Sequence, residues 1–490
     1  MSGTITRRGA GEASRRPRAG AAAVRAPGPG SRLTPVNVAI AAAVALALGL
    51  RLLLLSRPGY LMGVTEYDDG PYFGSAVDLL HGVLPYRDFI FVQPPGITLL
   101  MLPAAALSKV TGTATAMAAG RLLTTVASVA AVAGVGLLAR HRGLLAVIVS
   151  CGLMAVYPDS VLTSRTVLVE PWLTVFCLAG ALAVAEGDRL TASRRRLLAG
   201  GAAFGFAGAV EVWAIFPVLV LFLLLLPGIR RAALFAAGVA VGFCVPVLPF
   251  AALDPRRFYQ SLYVAQVAPR AGSDRVPVGA RLSHMLGLVN LPLPAHPKAL
   301  LVTAACLLVA AVGALVAAGW LISAQPPPAL DRFALLTAAL VGAVFLWPDQ
   351  FHYHFTVFLA PFGALAIALP AARLAEAAAR DGWRLPALRV AGPLRLGLPA
   401  AVLAGLAITT FALDQAGFES RLTVPYGTVP ARVDRIIPRG ACVATDQVSF
   451  LLMANRRSRQ PADRTHPMGY GREAYVWSLF AALGLFVAGA

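Results

Sequence analysis

Long apolar runs separated by short polar stretches dominate the chain from Val36 onward. Those at Val36–Leu55, Ala114–Ala139, Arg231–Leu253 and Ala299–Ser323 approach or exceed the roughly 17–25 residues needed to cross the hydrocarbon of a bilayer. One soluble core cannot absorb so many. Placing the short Arg-rich stretches on the cytoplasmic face predicts about eleven spans. Val36–Leu55 leads outward, Ala114–Ala139 returns to Arg140-His141-Arg142, and Gly143–Tyr157 goes out again. Val167–Ala185 returns to Arg194-Arg195-Arg196, and two short spans between Leu197 and Pro227 turn near Glu211-Val212-Trp213. A further span leads to an outer loop from Asp254 to Pro297, followed by Ala299–Ser323, Phe333–Trp347, Phe355–Pro370 and Leu396–Leu413.

Two stretches break this rhythm. Ile97–Ser108 is apolar but short and opens with Pro94-Pro95-Gly96, so it is expected to lie along the outer surface. Beyond Leu413, Val433–Ile437, Cys442–Asp446 and Phe450–Ala454 read as strand, strand and helix of a small extracytoplasmic α/β segment. The final run, Val476–Ala490, is marginal for a span. The resulting divisions are a basic, disordered cytoplasmic tail at 1–34, an all-α polytopic membrane domain at 35–413 and a C-terminal extracytoplasmic segment at 414–490.

Composition supports the membrane class: 58% of residues are hydrophobic and only 13% charged, with a mean hydropathy of +0.72. The formal charge of +19 could signal nucleic acid, but the basic residues sit mainly in short loops, which the positive-inside rule explains. A nucleic-acid partner is therefore not expected, and the location is a plasma membrane crossed many times. Only Lys109 and Lys298 are lysines, a bias that with the Ala and Gly load reflects coding composition. The five cysteines form no CxxC pair, so thiolate metal sites and structural disulfides are not expected. No P-loop, Gly-rich nucleotide turn or H-E-x-x-H is present.

Candidate chemistry concentrates where carboxylates do. Of 23 Asp and Glu, five (Glu66, Asp68, Asp69, Asp78, Asp88) fall in one loop after the first span. A carboxylate there can deprotonate a hydroxyl, or Glu66, Asp68 and Asp69 can hold a divalent cation; a solvated acidic loop is the plainer alternative. Phe351-His352-Tyr353-His354-Phe355 places two imidazoles at a span edge, suited to a phosphate oxygen or a sugar hydroxyl, or simply to an interfacial turn. Glu170 precedes Pro171 at another outer turn with Arg165 nearby, as a phosphate-binding set or a self-neutralising pair.

The order Asp68-Asp69-Gly70-Pro71-Tyr72, Ala76, Gly82, Pro85-Tyr86-Arg87-Asp88 and Gln93-Pro94-Pro95-Gly96 resembles the first outer loop of GT-C superfamily glycosyltransferases. These include the protein mannosyltransferases and the aminoarabinose transferases of lipid A; the coding bias resembles actinobacterial members. Asp69 stands for their usual Glu and Gln93 for their usual His, while Arg121 matches a basic residue opening the second span. The His352–His354 turn followed by Pro361 is similar to a late outer turn of the same superfamily. Where a related span commonly carries Lys, this chain has Glu211.

The resemblance implies an inverting membrane glycosyltransferase that takes a sugar, mannose or arabinose-like, from polyprenyl phosphate to a glycan, lipid or protein acceptor of the cell envelope. Asp68 would be the base and Asp69 its positioner. Arg87, Arg165, Glu170, His352 and His354 would contact substrate or donor phosphate. No cofactor is required, although the carboxylates leave room for a divalent cation. The rivals are a transporter or flippase of lipid-linked sugars, which needs no base, and a non-catalytic relative, to which Glu211 lends support. Ionisable groups buried along the spans would favour transport.

Overall fold

The computed structural model describes residues 34–264, 276–289, 298–323, 325–347, 351–380, 405, 408–410, 412–413, 429–436 and 448–455. It is a helical bundle that alternates between two ends. From the first end, α1 (Pro35–Leu55) rises to the acidic loop, which contains α2 (Asp69–Leu80), α3 (Gly96–Ala106) and α4 (Ser108–Thr111). Next, α5 (Thr113–Ala139) descends, a 3-10 turn at Arg140–Arg142 reverses the chain, and α6 (Gly143–Val156) ascends to α7 (Pro158–Thr163). α8 (Glu170–Val184) descends to a two-residue hairpin, β1 (Ala185–Glu186) with β2 (Arg189–Leu190), and α9 (Arg194–Val210) climbs back. α10 (Ile215–Leu225) and α11 (Ile229–Leu253) follow, then α12 (Pro255–Tyr259) and α13 (Val278–Met285) in the outer loop. α14 (Lys298–Ser323), α15 (Ala329–Phe345) and α16 (Thr356–Arg380) complete the membrane part, with α17 (Val429–Ile436) and α18 (Val448–Met453) beyond it.

Among the described residues, five segments are long and apolar enough to cross a membrane: Pro35–Leu55, Thr113–Val156 (α5 with α6), Ile229–Leu253, Ala299–Leu321 and Tyr353–Glu376. Gly96–Ala106, Glu170–Val184 and Val212–Leu225 are shorter apolar helices. On α14 the side chains of Leu307, Val309 and Leu321 are 64%, 72% and 83% exposed, the surface expected of a helix facing lipid. The protein is a multi-pass membrane protein. Most of the expected eleventh span, Leu396–Leu413, lies outside the described residues.

Helix association rests on small residues, as it must where lipid tails are as apolar as side chains. A Cβ at Gly201 or Gly205 of α9 would meet the carbonyl oxygen of Phe235 or Val239 at 2.2 or 2.1 Å, and one at Gly238 or Gly242 of α11 would meet Leu198 or Ala202. The two pairs, each spaced by four residues, bring the backbones of α9 and α11 together. Phe204 then packs edge-on against Phe235 and Phe333 in the core between α9, α11 and α15.

The arginine stretches that the sequence assigned to one face meet at one end. Arg142 Nε lies 2.8 Å from Asp188 in the hairpin and its Nη2 3.3 Å from Asp331 of α15. His141 Nε2 is 2.7 Å from Asp188, and Arg196 donates to the carbonyls of Ala183 and Ala185. Arg373, on α16, donates to Gln325 O beside Asp331.

Two expectations need correction. The segment containing Val433–Ile437 forms helix α17 over Val429–Ile436 rather than a strand. Val429, Val433 and Ile436 recur at i, i+4 and i+7, a helical period, and so short a piece carries alternation and helical spacing at once. Cys442–Asp446 lies outside the described residues, whereas the helix expected over Phe450–Ala454 is present as α18. The second concerns α3, which is not a surface helix: Ile97, Met101, Ala104 and Ala105 are fully or almost fully buried. Gly96 abuts the Ala209 carbonyl at the end of α9 so closely that a Cβ would sit 2.5 Å from its oxygen. At 11 residues α3 is too short to cross, and the chain re-enters α5 at the end it left.

The two ends of the bundle are thus chemically distinct. A cysteine replacing His81, after α2, and one replacing Arg189, in the hairpin, are expected to react with a membrane-impermeant maleimide from opposite sides of intact cells or oriented vesicles. Labelling of both from one side would break the helix order described.

Candidate functional site

Asp68 is the residue before α2, where an Asp commonly caps a helix. Its carboxylate makes no capping bond and turns instead towards the His turn. The next residue anchors the turn: Asp69 is fully buried, its Oδ2 2.6 Å from Arg121 Nη2 and its Oδ1 2.5 Å from Ser449 Oγ of α18. Arg121 is also fully buried and donates through Nη1 to the carbonyls of Tyr60, Leu61 and Gly63. One guanidinium thus satisfies both the carboxylate and the loop that leaves α1. Such saturation is required of a charge pair removed from water.

From the other side, His354 caps the arrangement. Its Nδ1 lies 2.6 Å from Glu170 Oε1, at the first residue of α8, and its Nε2 3.9 Å from Asp68 Oδ2. An ionised carboxylate only accepts, so Nδ1 carries the proton in this pair and Nε2 is presented to Asp68. The 3.9 Å gap exceeds a hydrogen bond, leaving Asp68 able to accept one from a substrate. Asp68 keeps 31% of its side-chain exposure yet is ringed by protein. Burial, with Glu66, Glu170 and Asp69 adding to it and His354 opposing, pushes its carboxyl up to about 6.

The acidic loop supplies the remaining wall. Tyr86 adopts φ +68, a backbone costing about 1–3 kcal/mol for such a residue. Its ring is packed edge-on by Phe91, Phe250 and Phe258, and its hydroxyl donates to Gln93 O at 2.6 Å. Gln93 is thereby held where its Nε2 donates to the Tyr72 hydroxyl at 3.2 Å, beside Glu211. Glu211 occupies an extended break, φ −154 and ψ 134, between α9 and the 3-10 turn preceding α10. Its Oε1 accepts from Val212 N. Burial, reinforced by Glu170, pushes its carboxyl up to about 8, so it is neutral at neutral pH. Glu170 Oε2 and Gln93 Oε1 are buried acceptors that no side chain satisfies.

Several sequence-derived candidates therefore converge: Asp68, Asp69, Glu170 and His354 form one contiguous cluster. His352 is exposed and stacks on His354, with ring centroids 5.3 Å apart. Tyr353, between the two histidines, donates to Glu66 Oε2 at 2.7 Å. Arg165 lies over the Tyr60 ring at 4.8 Å, and it is His354 that pairs with Glu170. Arg87 is 44% exposed and engages Asp88 through both Nε and Nη2.

Two of the three carboxylates in the Glu66, Asp68 and Asp69 set are already engaged. Both Asp69 oxygens are committed to Arg121 and Ser449, and both Glu66 oxygens accept bonds, from Tyr67 N and Tyr353. Among the described residues no group of three or more His, Cys, Asp or Glu is arranged to hold a metal.

Two contributors escaped the sequence. Ser449 gives no local signal, being a lone serine in a short apolar helix. His284 of α13 lies 2.9 Å from Asp159, which also accepts from Thr356 at 2.7 Å, so α13 is pinned beside the His turn. The partner of Asp159 lies 125 residues away in sequence, beyond the reach of any local pattern.

No curated protein matches the chain. A model described as the cation efflux transmembrane domain matches residues 447–490, a small fraction of the length. Among solved structures, ArnT from Cupriavidus metallidurans bound to undecaprenyl phosphate is 16% identical, with a TM-score of 0.53 over 87% of this chain and 86% of that one. The same protein in the apo state gives 15% identity and a TM-score of 0.55, covering 91% and 89%. Oligosaccharyltransferase AglB from Archaeoglobus fulgidus, in complex with an inhibitory peptide and a dolichol-phosphate, gives 15% identity and a TM-score of 0.50, covering 87% and 64%. At 15–16% identity these likenesses show the fold: it is that of the GT-C membrane glycosyltransferases, and it is the fold of this chain.

Proposed function

We propose that the protein is a membrane glycosyltransferase that moves a sugar from a polyprenyl-phosphate donor to a hydroxyl of a cell-envelope acceptor. The observation that carries this reading is the placement of Asp68 opposite His354, whose other nitrogen is held by Glu170, at one end of a bundle with the GT-C fold. Undecaprenyl phosphate and dolichol-phosphate in the similar structures support a lipid-phosphate donor. Mannose or an arabinose-like sugar remains the favoured cargo, and a glycan, lipid or protein the acceptor.

In this mechanism the acceptor hydroxyl donates its proton to Asp68 as its oxygen attacks the anomeric carbon. The bond from that carbon to the phosphate oxygen breaks, and polyprenyl phosphate leaves with the electron pair, inverting the configuration. Glu170 holds the His354 ring so that Nε2 faces the reacting centre, where it stabilises charge and orients Asp68. Arg165, His352 and Arg87 are assigned to the donor phosphate at the rim.

Glu211 does not oppose this reading. A buried carboxyl that stays protonated at neutral pH places no charge against a donor phosphate. It can offer a hydrogen bond where related spans carry Lys. Transport is less well supported: most of the buried charged groups gather towards the ends of the bundle, with Asp69, Arg121 and Glu170 at one and Arg142, Asp331 and Arg373 at the other, whereas Arg51, inside α1 and bonded to Ser128 midway along α5, is the exception. The outer, extracytoplasmic side is assigned to the Asp68 end because the arginine clusters lie at the opposite one.

Asp68→Asn is expected to lower transfer by about 10²–10⁴-fold with donor binding retained, since an amide keeps the shape but cannot take the proton. Radiolabelled donor in proteoliposomes reads both quantities, and wild-type transfer by this variant would remove Asp68 as base. Because the Asp68 carboxyl is raised to about 6 and must be ionised to act, kcat/KM is expected to rise as pH increases through that value. In Asp68→Asn that limb should vanish; its persistence would assign the titration to another group.

A further inference from the structure

The C-terminal helix α18 lies nearly 400 residues from the first span in sequence, yet it packs directly on the turn that carries Asp68. Ser449, Leu452, Met453 and Ala454 are buried. The approach to α2 is so close that a Cβ on Gly70 would sit 2.4 Å from Ser449 N. The helix is tied down at two points. Ser449 Oγ donates to Asp69 Oδ1 at 2.5 Å and lies 3.3 Å from Glu66 O. At the other end Leu452 O accepts from Thr113 at 2.6 Å, and Asn455 Oδ1 accepts from Ala114 N at 3.0 Å, satisfying an otherwise unpaired amide in the first turn of α5.

We propose that Ser449 is a positioning residue for Asp68, and that α18 is an integral wall of the active site rather than part of an appended domain. The inference rests on Asp68 being the base. Arg121 holds one oxygen of Asp69 and Ser449 the other, so the Asp69 carboxylate can neither rotate nor slide, and the first turn of α2 is fixed in two directions. Asp68 is the preceding residue and has no capping bond of its own. Its direction towards His354 is therefore inherited from the clamp on Asp69. With the hydroxyl removed, Asp69 remains paired to Arg121 and the fold has no charge to expel. The turn, however, gains a degree of freedom at the reacting end.

The test compares full-length wild type with Ser449→Ala in detergent. Ser449→Cys, which nearly conserves volume but lacks the strong donor, is the second deletion. Carboxyl labelling with a water-soluble carbodiimide and an amine, resolved by peptide mass spectrometry across pH, reads Asp68 and Asp69 directly; transfer kinetics from a polyprenyl-phosphate sugar run alongside. Both variants are expected to label Asp69 faster than wild type and to shift the pH midpoint of Asp68 labelling. They should lower kcat by about tenfold to 10²-fold, the scale of a misplaced catalytic group, while donor KM stays close to wild type. Unchanged labelling of Asp69 and an unchanged Asp68 midpoint in both variants overturn the inference, as does a loss expressed only in KM. If wild type transfers no sugar but the labelling changes as expected, the clamp stands and the assigned reaction falls.

Discussion

Everything at the Asp68 end of this bundle depends on one buried ion pair. Asp69 and Arg121 have no exposed surface, and an unpaired charge in such a place would cost several kcal/mol. The pair is tolerated because every strong hydrogen-bonding direction is used. Arg121 spans from the carboxylate to three carbonyls of the loop leaving α1, and Ser449 closes the remaining carboxylate oxygen. This locks α1, α2, α5 and α18 around one point. A residue so fully committed has no capacity left for chemistry, which divides the labour between two adjacent aspartates: Asp69 holds the turn, and Asp68 faces the His354 imidazole.

The same constraint explains what the sequence disclosed. In an apolar chain a charged residue persists only where it is paired, wet or useful, so the clustering of Glu66, Asp68 and Asp69 and the isolation of His352 and His354 were informative by position alone. Spans were legible because crossing a bilayer demands length and apolarity, and arginine placement gave their direction. Partnerships were not legible. Glu170 and His354 are 184 residues apart and Asp69 and Ser449 are 380; only the packing of α8 against α16, and of α18 against α2, brings them together. Arg165 beside Glu170 in sequence made an Arg–Glu pair the natural expectation, whereas the helix directions give Glu170 to His354. The strand expected at Val433–Ile437 failed for a different reason, since a few residues do not distinguish a period of two from one of 3.6.

Glu211 shows how environment can reverse the meaning of a residue type. A carboxylate where related spans carry a lysine looks incompatible with a phosphate. Burial beside Glu170 raises its pKa and favours the neutral form, and Gln93 of the Tyr86-anchored loop lies beside it. The acidic loop, the break after α9 and the His turn thus meet in one hydrogen-bonded region in which Glu170 Oε2 and Gln93 Oε1 are buried acceptors.

The central claim is that Asp68 and the Glu170-held His354 act as one catalytic unit. A double-mutant cycle of Asp68→Asn and His354→Ala, read as kcat for transfer from a polyprenyl-phosphate sugar, tests it most directly. Residues that act as a unit are strongly non-additive, so the double variant is predicted to be scarcely slower than Asp68→Asn alone. Losses that multiply, each substitution costing the same whether or not the other is present, would contradict the account.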